Sequence, residues 1–343
     1  MKVTQEVIEA IVAKVGLGLS YTQIGRDLGI DRETVAKYSP KILDDIVMNV
    51  NPSEAQEQFQ ELLDQFNTLI GDTKSVKIPK SRSIAEKKNL VINDIHAPFH
   101  NEEALAEAIR TNLDADECWV PGDLLDLFTF SRYEKYSQPF SAVEEFQSGR
   151  AIIRTLSETF PKVKVMSGNH DDRFIKWLVR DKNIPQSIIK FFELIDKDFC
   201  SPLAKMCAPY PNVEVVEPLT LDYAKFPFIH QEGDCILSHA EKFSKQANKA
   251  VADVIQWLKS YAEPAGLVKP FRMVIQAHTH QAGKTWNNFG VVGIEGGCLA
   301  LTPDYASDPK LRGSQRQSVV GYSTVYQVNG VTDRNKSNFI EIE

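Results

Sequence analysis

Short apolar runs, each followed at once by polar residues, set the rhythm of the chain from residue 89 onward. Asn89 to Ile92, Glu117 to Val120, Val163 to Met166, Cys235 to Leu237 and Met273 to Ala277 predict strands buried on both faces. Between the first two, Leu105, Ala108 and Ile109 fall on one face of a helix over Glu102 to Asn112, so strand and helix alternate as in an α/β domain. Val291 to Ile294 and Ser318 to Gln327 predict strands that complete a second sheet. Two stretches break the alternation and read as helical inserts. Residues 127–160 carry Phe128, Phe130, Tyr133, Tyr136, Phe140 and Phe146, and residues 173–225 carry Phe174, Trp177, Phe191 and Phe192 before a Pro-rich loop. Both leave the sheet beside a polar motif, which places them as walls of a cleft. Their aromatics have two readings, burial in each insert's own small core or stacking on nucleic-acid bases.

Ahead of residue 89 the period is helical. Val7, Ile8, Ile11, Val12 and Val15 predict a first helix, Tyr21 to Leu28 a second, and Arg32 to Tyr38 a third after the Gly29-Ile30 turn, with Asp31 as N-cap. The order of Ile24, Leu28, Gly29, Ile30 and Val35 resembles a bacterial helix-turn-helix, which implies Arg32, Thr34, Lys37 and Lys41 as DNA-contacting residues. Against that stands charge: residues 1–45 hold six Lys/Arg and seven Asp/Glu, so dimerisation or partner docking is an equal reading. Residues 52–70 predict one more helix, and Lys74, Lys77, Lys80, Arg82, Lys87 and Lys88 follow in an aperiodic segment. That segment is either a plain linker or a basic strap for phosphates. The expected organisation is therefore residues 1–48 as an all-α helix-turn-helix-like domain, 49–88 as helix and basic linker, and 89–343 as the main domain.

Composition narrows the partners. At 343 residues with net charge −7, the surface as a whole is not built to grip nucleic acid, which leaves only local basic patches for that task. Five cysteines without C-x-x-C spacing, no apolar leader and no membrane-length apolar run lead to the expectation of a cytoplasmic protein with no membrane contact.

The polar residues behind the strands carry the chemistry. They are Asp94-Ile95-His96, Gly122-Asp123 with Asp126, Gly168-Asn169-His170-Asp171, Ser238-His239, and His278-Thr279-His280. Five of the seven histidines fall in these groups. Carboxylates, an amide and imidazoles gathered at the carboxyl ends of strands form the ligand set of a two-metal hydrolytic site. His100 and His230 lie outside the groups, with His100 read as a solvated loop residue that could reach the cleft mouth. Asp171 and Asp172 read as helix-starting caps.

D-x-H, G-D-x-x-D, G-N-H-D, a lone His and H-x-H, in that order, resemble the calcineurin-like metallophosphoesterase superfamily over about residues 89–300. Ala277 departs from the Gly usual before the last motif. The resemblance implies a two-sheet α/β sandwich flanked by helices. It implies one metal ion on Asp94, His96, Asp123 and His280, and a second on Asp123, Asn169, His239 and His278, with Asp123 bridging. It also implies His170 as proton donor to the leaving group, oriented by Asp126. The thiolate-free donors suit manganese first, with iron or zinc as alternatives. Leu127-Phe128 and Asp171 stand where protein Ser/Thr phosphatases of the superfamily carry Arg-Gly and Glu, which turns the expectation toward phosphodiesterases of the Mre11/SbcD-like nuclease branch. The leading expectation is a DNA nuclease, with nucleic acid as substrate and the N-terminal helices as a route to a homo-oligomer. The alternatives are a phosphatase or cyclic phosphodiesterase for a small nucleotide, and a DNA-binding regulator whose metal domain is not catalytic.

Overall fold

The computed structural model describes residue 7 and residues 21–30, 34–35, 86–131, 140–182, 184–198, 201–218, 228–244, 246–301 and 318–343. Two compact units divide the chain, Met1–Glu61 and Leu62–Glu343. In the first, helix α1 (Tyr21–Leu28) ends at Gly29, whose φ of +65° lets the chain turn and Ile30 N–H donate to the Gly25 carbonyl. Residues 34 and 35 are again helical, and Ile24 and Val35 are fully buried. Arg32, Lys37 and Lys41 lie outside the described residues, as do the helix expected over 52–70 and the basic segment through residue 85.

The second unit is a sandwich. Strands β1 (Glu86–Val91), β2 (Glu117–Pro121), β3 (Val163–Met166) and β4 (Val213–Val216) run parallel to one another. Helix α2 (Glu102–Arg110) crosses from β1 to β2, and α3 (Ala142–Thr159) from β2 to β3. Between β3 and β4 come α4 (Arg173–Lys176), α5 (Gln186–Ile195) and α6 (Pro202–Cys207). The second sheet holds β5 (Ile229–Glu232), β6 (Cys235–Ser238), β7 (Met273–Gln276), β8 (Ala282–Trp286) and β9 (Val292–Gly296), in the order β5-β6-β7-β9-β8, with α7 (Lys249–Trp257) between β6 and β7. The chain then returns to the first sheet through β10 (Gly321–Val328), β11 (Val331–Thr332) and β12 (Asn338–Glu341), giving the order β11-β10-β1-β2-β3-β4 with β12 on β10.

Side-chain alternation along each strand builds the main cores among the described residues. Leu90, Cys118 and Val120 face outward beneath α2, α3 and α6. Ile236 and Val274 face the other way beneath α7. Between the sheets pack Val91 and Trp119 from one side and Cys235, Leu237, Met273, Ile275, Val292 and Ile294 from the other. A strand covered on both faces favours apolar residues at most positions, which is why these segments appear as short apolar runs, with Asn89, Glu117 and Lys164 as buried polar exceptions.

Four expectations need correction. Ser318 to Gln327 does not complete the second sheet: β10 pairs antiparallel with β1 in the first, because the chain crosses back after β9. Residues 127–160 are not an insert: α3 is the crossover that two parallel strands require, and its Ile152, Ile153 and Leu156 belong to the outer core. Residues 173–225 are not wholly helical, because Val213–Val216 extends the first sheet beside β3. Lys87 and Lys88 are not part of a strap for phosphates. They are β1 residues, paired with Glu117 at 2.8 Å and Asp114 at 2.5 Å.

Candidate metal centre

Every motif falls just beyond a strand's carboxyl end, where the chain must leave the sheet abruptly. The backbone records the cost. Asp94, His96, Asp123, His278 and His280 all have φ between +48° and +71°, a left-handed region that costs a non-glycine residue about 1–2 kcal/mol. Five strained residues converging from three strand ends mark a site whose geometry overrides local preference. Two glycines clear the space: a Cβ at Gly122 would run into the His239 ring, and one at Gly168 into the Asp123 carboxylate.

The expected ligands come together. His96 Nε2 lies 3.1 Å from His280 Nε2, 3.9 Å from Asp94 Oδ1 and 3.7 Å from Asp123 Oδ2, while His280 Nε2 lies 3.5 Å from Asp94 Oδ1. On the other side of Asp123, His239 Nε2 is 3.0 Å from Oδ2 and 3.2 Å from Asn169 Oδ1, and His278 completes the group. Both Asp94 oxygens also accept from the His278 backbone N–H at 3.0 Å, which ties the first strand end to the last.

The hydrogen bonds on the far side of the rings fit metal ions. His96 Nδ1 pairs with Asp126 Oδ2 at 2.9 Å, and His239 Nδ1 donates to the Pro121 carbonyl at 2.9 Å. Each ring therefore turns an Nε2 lone pair into the site. Lone pairs facing lone pairs, around two carboxylates with almost no solvent exposure, are an arrangement that a cation satisfies and a neutral solvent does not. The buried carboxylates and imidazoles also set one another's charge. Burial resists ionisation of Asp123, yet His239, His170 and His96 hold its carboxyl well below the usual range. Burial likewise disfavours a charged His239, but Asp123 and Asp94 push it up to about 9. His278, with less compensation, is pushed down to about 3 by burial.

Around the ligands stands a set of carboxylates whose roles the motifs did not reveal. Asp126 reaches His170 Nδ1 at 3.2 Å as expected, but the same Oδ2 also holds His96. Burial opposes its charge, and the two imidazoles overcome that and hold it ionised. Asp171 is not a helix cap. Its carboxylate accepts from Gly168 N–H at 2.8 Å, Asp123 N–H at 3.0 Å and Leu125 N–H at 3.1 Å, clamping the β2 and β3 loops together. Asp172 precedes α4 but makes no side-chain cap bond. Glu145 of α3 accepts from Phe128 and Thr129 N–H at 2.7 and 2.9 Å and so anchors the loop after Asp126. Arg173 also escaped the motif reading. Its Nη1 donates to the Asp126 carbonyl and Oδ1 at 2.8 and 2.7 Å, and its Nη2 lies 2.9 Å from His170 Nε2. His100 is buried rather than solvated, in a bridge to Ala300, and burial pushes it down to about 4.

Comparison with known proteins places the site in context. The family model described as calcineurin-like phosphoesterase matches residues 88–282. No curated protein matches the chain. Among solved structures the chain is similar to a predicted phosphoesterase from Streptococcus pneumoniae TIGR4, at 10% identity over 76% of this chain and 100% of that one, TM-score 0.28. It is similar to Vps29 from Chaetomium thermophilum, at 12% identity over 76% and 96%, TM-score 0.34. It is also similar to phosphopantetheinyl hydrolase from Mycobacterium tuberculosis, at 13% identity over 66% and 93%, TM-score 0.28.

Proposed function

The chain belongs to the calcineurin-like phosphoesterase family, and from that premise we propose that it is a two-metal phosphodiesterase acting on nucleic acid, with DNA as the substrate. The observation that carries the catalytic reading is the convergence of Asp94, His96, Asp123, Asn169, His239, His278 and His280 with lone pairs turned inward. Asp94, His96, Asp123 and His280 would hold one divalent cation, and Asp123, Asn169, His239 and His278 the other. When bound, the pair would polarise the phosphoryl oxygens and acidify water at the site. Nitrogen and oxygen donors without thiolate suit manganese first.

The remaining chemistry belongs to the protein. His170, 3.9 Å from Asp123 Oδ2 through Nε2, hands a proton to the leaving oxygen, and Asp126 at Nδ1 orients the ring and balances its charge. Asp126 couples this donor to the ligand His96 through one carboxylate oxygen, so donor and ligand keep a fixed separation. Asp171 in place of Glu, and the helical N-terminal unit, support the nuclease branch and a DNA-tethered enzyme over a protein phosphatase.

The test is hydrolysis of end-labelled single- and double-stranded DNA by the manganese-loaded full chain, beside a panel of small nucleotides. Cleavage is expected, falling about 100-fold or more in His170→Ala with metal retained. Intact DNA beside hydrolysed nucleotides would refute the nuclease reading, and undiminished turnover in the variant would refute His170 as the acid.

A further inference from the structure

Arg173 makes a pattern of contacts that structural support of the loop does not use up. A guanidinium carries five N–H donors. Both Nη1 donors go to Asp126, one to its carbonyl and one to Oδ1, and one Nη2 donor goes to His170 Nε2. The Nε donor and the second Nη2 donor have no acceptor among the described residues. The side chain is 13% exposed, so it stands at the lip of the site rather than in the core or in bulk solvent. Its plane is fixed by the bidentate grip of Asp126, whose own carboxylate is held by His96 and His170.

We propose that Arg173 is a substrate-binding residue that takes a non-bridging oxygen of the phosphoryl group on the leaving-group side of the metal centre. The inference rests on the phosphoesterase reading above and adds to it the group that neutralises the phosphate from the protein side. Three features carry it. The cation is held beside the proton donor, and His170 Nε2 lies 2.9 Å from Arg173 and 3.9 Å from Asp123 Oδ2, so an anion at the site meets the guanidinium's reach. The unused donors are those of a rigid planar fork, whose geometry matches phosphate oxygens. The third donor is spent on a neutral acceptor, His170 Nε2, which a phosphate oxygen outcompetes because it is charged. Moving that donor to the substrate also uncovers Nε2, which takes up a proton from solvent and can then pass it to the leaving oxygen.

A purely structural Arg173 would orient Asp126 and His170 without touching phosphate, and two readouts separate the cases. Binding of inorganic phosphate to the manganese-loaded full chain is measured by calorimetry, without turnover. Hydrolysis of bis(p-nitrophenyl) phosphate is resolved into kcat and KM. Arg173→Ala is expected to weaken phosphate binding at least about tenfold and to lower kcat/KM about 100-fold. Arg173→Lys, which keeps the charge but not the fork, should recover part of both. Melting curves of the two variants confirm that each is folded, and Arg173→Lys keeps the test open if the alanine variant is not. Equal phosphate affinity in wild type and Arg173→Ala, or none in either, overturns the proposal. Arg173-dependent phosphate binding without hydrolysis of any ester would uphold Arg173 and overturn the catalytic reading instead.

Discussion

At the residue scale the centre depends on groups that never meet a metal ion. Asp171 illustrates this. Both of its oxygens are spent on three buried N–H groups, two of them flanking or belonging to ligand loops. Burial and the nearby Asp123 charge push its carboxyl up to about 8, while these backbone donors favour its ionised form. Asp171→Asn keeps the shape but turns an amide N–H toward a backbone donor. Such a change behind a metal ligand costs metal affinity about 10–100-fold. Calorimetric titration of the variant with manganese is expected to show that loss while the circular dichroism spectrum stays native. Unchanged affinity would mean that the loops hold their places without the clamp. Nothing around G-N-H-D in the sequence distinguishes this role from a helix cap, because both put an Asp just before a helix.

At the scale of elements, the two sheets are joined by charge as well as by apolar packing. Lys164 of β3 bridges Glu117 of β2, at 3.2 Å, and Glu232 of β5, and Trp119 donates its indole N–H to Glu117 at 2.9 Å. The His230 hydrogen bond, joined by Lys164, lowers Glu232 to about 2 from 4.5 despite burial. Since the folded value lies below the unfolded one, this contribution is present above about pH 4.5 and is lost as the pH falls toward 2. Glu232 is partly exposed, so solvent screening reduces the contribution to about 1 kcal/mol. Glu232→Gln is expected to lower the melting temperature near neutrality by a few degrees and to converge on wild type in acid. A gap that persists unchanged into acid would show that the loss is one of packing. The pairing of β5 with a partner sheet is invisible in sequence, since Glu232 and Lys164 are 68 residues apart and read as ordinary surface charges.

At the scale of the whole molecule, a chain of net charge −7 must confine any attraction for DNA to a small region. The N-terminal unit is the candidate proposed for that role; it contains α1 and the Gly29 turn, and Ile24 and Val35 are buried. If it positions DNA, Arg32→Ala with Lys37→Ala should raise KM for DNA several-fold and flatten its dependence on salt. The same double variant should hydrolyse bis(p-nitrophenyl) phosphate at the wild-type rate. Equal effects on both substrates would count against DNA docking by this unit, and no effect on either would leave it to partner docking or dimerisation.

The sequence by itself determined the α/β class, five of the strands and the seven polar residues that converge behind them. It could do so because a doubly covered strand is mostly apolar, and because the polar residues of the site sit directly behind those runs. Only the tertiary structure decided what surrounds them. It made α3 a crossover rather than an insert and placed Val213–Val216 in the sheet, where Pro211 and Pro218 on either side make the segment read as part of a Pro-rich loop. It joined Asp126 to two histidines at once, turned Asp171 into a clamp, and set Arg173 against His170 with two donors to spare. These roles depend on which groups meet across loops distant in sequence, and hydrogen bonds between such loops leave no period or spacing in the chain.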